Sequence, residues 1–160
     1  MKTKESDHKR FMKMAIKLAE KSVEKGGGPF GAVIVREGTV IAKGNNLVTL
    51  NNDPTAHGEV TAIRKACKKL GTFDLSGCII YTSCEPCPMC LSAIYWARIE
   101  AIYYGCTKDD AKDIGFDDSF IYQQIALSPT ERAISAKQIL HTEALNAFRM
   151  WNDKEDRIDY

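Results

Sequence analysis

Two short runs carry the residues best suited to chemistry, His57-Gly58-Glu59 and Pro86-Cys87-Pro88-Met89-Cys90. Cys87 and Cys90 are three apart, so on a helix they share one face and both sulfurs can reach a single metal ion. His57 adds a borderline-soft nitrogen, and an N/S₂ donor set of this kind selects zinc. Three protein ligands leave the fourth tetrahedral position to water, which marks a catalytic rather than a structural zinc. Each run falls where a helix is expected to begin, and the partial positive charge of a helix N-terminus favours the thiolate that binds metal. Glu59 stands two residues from His57, cannot share its helical face, and is therefore a poor ligand. It can instead approach the metal's water from the side. Zinc lowers the pKa of that water from about 16 to roughly 7, and a nearby carboxylate can take and return the proton.

Taken singly, these features have plainer readings. A lone CxxC can be a pair of buried thiols or half of a redox motif, and Glu59 can be an ordinary first-turn carboxylate facing the helix dipole. In this order, with both runs at helix starts, they form H-x-E…P-C-x-x-C, the signature of zinc nucleobase deaminases. Cys84 lies outside the helix and is expected to pack near the metal without ligating it. Cys67, Cys78 and Cys106 read as small core hydrophobes, and His8 and His141, in charged or polar surroundings, as surface residues.

The elements that position these residues follow from pattern. Residues 7–25 form an amphipathic helix, with Phe11, Ala15, Leu18 and Ser22 at helical spacing and Lys9, Lys13, Lys17 and Lys21 along another face. Gly26-Gly27-Gly28-Pro29 stops it. GAVIV and TVIAKG flank Arg36-Glu37-Gly38 as a β-hairpin. A polar loop over 45–53 leads to Asp53-Pro54, which predicts a helix start, and the helix runs to about Leu70, where Gly71 ends it. CIIYTS (78–83) is a strand, Pro86 opens a helix reaching about Ala97, and AIYYG (101–105) is another strand. Residues 109–118 read as an acidic loop, 119–127 as a short helix and 142–152 as a last one. The expectation is an α/β fold, a sheet of at least four strands with helices on its faces, in one domain over 1–160.

Composition bounds the function. A chain of 160 residues that is 44% hydrophobic can enclose a core without disulfides, which excludes a disordered protein. A formal net charge of +1 excludes a nucleic-acid binder that works through bulk charge. The charge is uneven: residues 1–106 carry 15 Lys/Arg against 10 Asp/Glu, and residues 107–160 carry 7 against 11. That asymmetry favours self-contact or subunit pairing over a polyanion site. The N-terminal 26 residues have charges every few positions and no long apolar run, so neither a signal peptide nor a membrane span is expected. A cytoplasmic, reducing location follows, in which crowded cysteines point to metal or redox chemistry rather than disulfides.

The zinc motif and its surroundings resemble the cytidine deaminase superfamily. GGPFGAVIV, NDPTAHGEVTAIRKAC, YTSCEPCPMCLSAIYWAR, GFDDSFIY and the terminal Tyr160 are similar, in order and spacing, to its bacterial guanine deaminase branch. The resemblance implies a three-layer α/β/α fold with a central mixed sheet and helices on both faces. It implies one Zn²⁺ per chain on His57, Cys87 and Cys90, with zinc-bound hydroxide attacking C2 of guanine and Glu59 shuttling the proton, to give xanthine and ammonia. It also implies a homodimer that exchanges its 142–160 segments, acts on a small purine base and binds neither membrane nor nucleic acid. Asn46 would hydrogen-bond the base edge, Phe30 stack near it, the Gly58 N–H contact it and Trp96 wall the pocket. Asp118 and Tyr160 would reach the base's N–H groups. A carboxylate facing N1–H and the exocyclic amine suits guanine, which donates at both positions, whereas adenine lacks the N1–H.

Each of these residues has a structural alternative. Phe30 and Trp96 can be core, Asn46 a turn residue, Asp118 a helix N-cap and Tyr160 a frayed terminus. Gly58 stands where the branch usually has Ala, a change that keeps the backbone N–H and costs up to ~1 kcal/mol of helix stability. The competing activities are tRNA adenosine deamination, which needs a basic surface that the acidic C-terminal quarter disfavours, and deamination of cytosine, cytidine, guanosine or another aminopurine or triazine. A zinc-stabilised binding module would need no Glu59.

Overall fold

Apolar side chains alternate along the central strands and feed two separate cores. In β1 (Gly31–Arg36), Ala32 and Ile34 join Ala42, Ala62, Ala66, Ile80 and Ile94, while Val33 and Val35 join Phe11, Ala15 and Tyr81. A strand buried on both faces must lie inside a sheet that has a helical layer on either side. The structure, a computed structural model, meets that demand over the residues it describes, 5–160. Residues 1–4 of the N-terminal segment read above lie outside them.

The strands β1, β2 (Thr39–Asn45), β3 (Cys78–Cys84) and β4 (Ala101–Cys106) form a sheet of order β2-β1-β3-β4. β1 runs antiparallel to β2 and β3, and β3 runs parallel to β4. The β1–β2 hairpin turns at Glu37 (φ 50°) and Gly38 (φ 75°), both left-handed, as a turn matched to strand twist requires. Helix α1 (Glu5–Glu24) covers one face through Phe11 and Ala15. After the single turn α2 (Val48–Asn51), helices α3 (Gly58–Leu70) and α4 (Pro88–Trp96) cover the other through Ala62, Ala66 and Ile94. The result is the expected α/β/α arrangement around a mixed sheet.

Packing of α3 on β2 is close enough to need glycine. A Cβ on Gly44 would come within 2.1 Å of the Gly58 carbonyl oxygen and 2.6 Å of the Ala62 nitrogen. The first turn of α3, which carries the site residues, therefore rests directly on the β2 backbone.

Five expectations need correction. Asp53-Pro54 does not start α3. The Asp53 Oδ1 accepts from Thr55 N at 2.8 Å and Thr55 Oγ1 at 2.7 Å, closing a turn, and the helix begins only at Gly58 with His57 as its N-cap. Pro86 does not open α4; Pro88 does, with Cys87 as N-cap. The span expected as an acidic loop contains α5 (Lys108–Asp113), made possible by a capping box in which Thr107 and Asp110 each satisfy the other's backbone N–H. His8 is not a solvated surface residue: its Nδ1 lies 2.8 Å from the Tyr81 hydroxyl and its ring stands 4.3 Å from Tyr103. Among the thiols expected in the core, Cys78 is buried, Cys67 is half-buried and Cys106 is exposed, because β4 is the sheet edge.

The chain separates into two compact units, the first running to Asp118 and the second spanning Ser119–Tyr160. The second contains α6 (Ser119–Ala126) and α7 (His141–Asn152), both close to their expected bounds and neither holding a buried residue. Among the described residues no helix is long and apolar enough to cross a membrane.

Candidate metal centre and active site

Two helix starts converge on one face of the sheet. His57 caps α3 with an extended backbone (φ −68°, ψ 158°), and Cys87 caps α4 in nearly the same conformation (φ −64°, ψ 167°). Cys90 stands one turn into α4 and is fully buried. His57 Nδ1 is 3.5 Å from the sulfur of Cys87 and 3.5 Å from that of Cys90. All three donor atoms lie within 4.8 Å of one another, and among the described residues this is the His/Cys/Asp/Glu group able to hold a metal ion. Tetrahedral zinc with bonds of about 2.0–2.1 Å to nitrogen and about 2.3 Å to sulfur places N and S about 3.6 Å apart. The donors therefore already stand at zinc-ligand spacing.

The electrostatics agree. The Cys87 thiol is held well below the usual thiol range, first by hydrogen bonding with Cys90 and then with His57. Cys90 is driven upward by the same Cys87 contact and by burial. Hydrogen bonding to Cys87 raises His57.

Glu59 lies in the first turn of α3, only 4% exposed. Its Oε1 accepts from the Thr82 hydroxyl at 3.0 Å, and its Oε2 stands 3.3 Å from the Cys90 sulfur. Burial pushes its carboxyl above the ordinary range. Thr82 escaped the sequence reading. Its one signal was a hydroxyl on the core-facing side of β3, in register with Ile80, at the end of a strand leading into the metal loop.

The other expected residues divide. Asn46 is buried, and its Oδ1 accepts from Val48 N at 3.2 Å and Gly28 N at 3.4 Å, so it holds the turn after β2. Phe30 is half-buried, with Phe116 edge-on at 4.9 Å, and its carbonyl accepts from Asn46 N. Gly58 is the first residue of α3, buried beside Glu59. Asp118 is half-buried, and burial, then the charge of Cys87, raise its carboxyl. Cys84 is outside the donor group and points its sulfur at Thr107 O, 3.4 Å away. Trp96 ends α4, about 9 Å along the axis from Cys90, and is 67% exposed with Tyr95 and Ser92 around a surface hollow. Tyr160 belongs to the second unit, edge-on to Trp151 at 6.4 Å.

A buried carboxylate beside a His/Cys/Cys zinc site, at the starts of two helices on a mixed sheet, defines a zinc-dependent hydrolytic deaminase. The model of the cytidine and deoxycytidylate deaminase zinc-binding region matches residues 5–106, and the chain belongs to that family. Over 155 residues, 96% of this chain and 99% of the relative, it is 55% identical to the guanine deaminase of Bacillus subtilis. The X-ray structure of that guanine deaminase superposes with a TM-score of 0.93 over 96% of this chain and 98% of its own. A tRNA-specific adenosine deaminase of Aquifex aeolicus is 46% identical over 94 residues, which span 59% of this chain and 62% of that protein.

Proposed function

We propose that this protein hydrolyses guanine to xanthine and ammonia. The observation that carries the reading is the reach of the similarity. The likeness to guanine deaminase extends over 96% of the chain, whereas the likeness to the Aquifex tRNA deaminase stops at 59%. The zinc motif is common to both activities; the remainder of the chain is where they part.

His57, Cys87 and Cys90 hold the metal. When bound there, zinc supplies an activated water, its pKa lowered from about 16 to roughly 7. Glu59 takes one proton of the water and gives it to a ring nitrogen of the base as the oxygen bonds to C2, then takes the second proton from that oxygen and gives it to the amine as the C2–N bond breaks and ammonia leaves. The Thr82 hydroxyl fixes Oε1, leaving Oε2 to exchange protons. Asp118 accepts from the ring N1–H and the exocyclic amine, a pattern that guanine offers and adenine lacks. Asn46 and the Gly58 N–H orient the base edge, Phe30 packs near its face, and Trp96 and Tyr160 complete the pocket.

The functional form is a cytoplasmic homodimer, each chain one deaminase domain that exchanges its 142–160 segment and thereby brings Tyr160 to the other subunit's base. Exposed Phe120, Ile121, Ile125, Phe148 and Met150 in the second unit support a covered surface in the assembly. The exchange of a terminal segment between identical chains is a low-cost route to a dimer.

The test is ammonia release from guanine, guanosine, adenine, cytosine, cytidine and tRNA by the zinc-loaded protein, with Glu59→Gln as the inactive control. Turnover of guanine alone is expected. Inosine formation in tRNA with no guanine turnover would replace this reading with tRNA editing.

A further inference from the structure

The loop that delivers Cys87 carries one charged side chain, Glu85, which is half-buried and joined to a different part of the chain. Its backbone N–H donates to Cys106 O at 2.8 Å, and its Oε2 accepts the Lys108 N–H at 3.1 Å. Beside it the Cys84 thiol donates to Thr107 O at 3.4 Å. The β3–α4 loop is therefore tied to the junction of β4 and α5. The side-chain bond differs from the other two, because it reaches into the first turn of α5. There the backbone N–H groups have no intrahelical partner and a carboxylate is a favoured acceptor.

What α5 carries gives that tie its purpose. Past its end Gly115 turns the chain at φ 94°, and Phe116 N donates back to Ala111 O at 3.0 Å. Lys112 pairs with Asp117 at 3.3 Å, and the Phe116 ring stands against Phe30. These contacts fix the residues just before Asp118 to the body of α5. The helix is only six residues long and closes its own N-terminus with the Thr107/Asp110 capping box, so less than two turns separate its first residue from its last. Whatever sets its first turn sets its far end.

We propose that Glu85 is a positioning residue for Asp118: its carboxylate anchors the first turn of α5 to the metal-ligand loop, and α5 with the 115–117 turn holds Asp118 in place to read the base. The inference rests on the reading of Asp118 as the guanine-recognising carboxylate. Glu85 acts here as a hydrogen-bond acceptor and not through its charge, so Gln, which keeps the acceptor oxygen, replaces it and Ala does not.

The experiment uses the full-length, zinc-loaded protein and the variants Glu85→Ala, Glu85→Gln, Asp118→Ala and the Glu85→Ala/Asp118→Ala double variant. Glu85→Ala should keep its zinc, raise KM for guanine about tenfold and change kcat by less than about threefold, the loss expected for one hydrogen bond acting through position. Glu85→Gln should stay near wild type. In the Asp118→Ala background the Glu85→Ala change should have no further effect, since both act on one contact. Deuterium uptake at amides 107–113, measured without substrate, should rise in Glu85→Ala and not in Glu85→Gln. Additive effects of the two substitutions, or equal uptake in Glu85→Ala and wild type, would overturn the proposal. Wild-type protein that leaves guanine untouched would instead sink the proposed function, while the uptake measurement still decides whether Glu85 anchors α5.

Discussion

Thr82 on β3 donates its hydroxyl to Glu59 Oε1 on α3 at 3.0 Å, a contact between the sheet and the helix packed on it, made at the most buried carboxylate of the site. On the proposed reading of Glu59 as the proton shuttle, the bond holds one oxygen and leaves the other for proton transfer. Thr82→Val keeps the shape of the side chain and removes the donor. A hydrogen bond to a charged group contributes about 1.5–3 kcal/mol, so kcat should fall by roughly one to two powers of ten with zinc content unchanged. Thr82→Ser should recover most of the rate. Equal kcat in Thr82→Val and wild type would show that Glu59 is oriented by other contacts.

The donor spacing at His57, Cys87 and Cys90 makes metal content the most direct measurement. Replacing both Cys87 and Cys90 by Ala should reduce zinc from one per chain to a trace by elemental analysis. It should also slow folding or lower stability little, since α4 starts on Pro88 and packs through Ile94 whether or not metal is bound. Full zinc occupancy in that variant would refute the ligand set.

Gly44 tests whether α3 must rest on β2 for the site to assemble. A methyl group there meets backbone atoms of Gly58 and Ala62 rather than flexible side chains, at 2.1 and 2.6 Å. Gly44→Ala should cost at least the ~1–3 kcal/mol typical of overpacking and, by lifting the first turn of α3, should weaken zinc retention against a chelator. Gly38→Ala, at the exposed hairpin turn with nothing within 4 Å, should affect stability through its left-handed φ and leave zinc retention alone.

Much of this site was legible because its chemistry is compressed into spacing. His57, Glu59, Cys87 and Cys90 lie in two short runs, and the strands beside them alternate cleanly enough to be placed within a residue or two. The errors have physical causes. Asp53 reads as a helix cap, and its carboxylate does bond a nearby N–H, but in a turn that starts five residues ahead of the helix. Helix α5 is six residues long with Ala111 as its one apolar residue, so it has no apolar period, and its start is fixed by a capping box hidden in an acidic run. Thr82, Glu85 and His8 act through partners brought in by tertiary structure. His8 has charged neighbours in sequence, yet its hydrogen-bond partner, Tyr81, is 73 positions away.

Tyr81 gives a pH signature for that buried cluster. Its side chain is fully enclosed, stacked on Tyr103 at 5.2 Å and bonded to His8, and burial pushes its hydroxyl from 10 to about 12. The folded pKa is raised, so the contribution to stability is complete below pH 10, where neither state is ionised, and is lost as pH rises through about 12. Urea midpoints between pH 9 and 12 should fall less steeply for Tyr81→Phe than for wild type. At neutral pH the same variant should be less stable by roughly 0.5–1.5 kcal/mol, the worth of the lost hydrogen bond. Parallel alkaline slopes would mean that the phenol titrates normally.

The last residue tests the exchanged-segment reading. Residues 152–159 contain Ile158 as their one strongly apolar side chain, so the tail has little means of packing by itself. A terminal Tyr with no role would fray, and its removal would be silent. If Tyr160 instead meets the base, Tyr160→Phe should cost only a few-fold in kcat/KM, the worth of a neutral hydrogen bond of about 0.5–1.5 kcal/mol. Deletion of 153–160 should cost far more, because the pocket would open to water, and zinc content should be unchanged in both. Crossing of the tail between subunits can be read by mixing two inactive proteins, Glu59→Gln and the tail-deleted chain, unfolding them together and refolding. A mixed dimer then holds one site in which an intact Glu59 from the deleted chain meets an intact tail from the other, and activity should return. Confirmed mixed dimers without activity would place each tail on its own subunit's site. Full activity after deletion would remove Tyr160 from base recognition and leave Asp118 as the side chain that selects guanine.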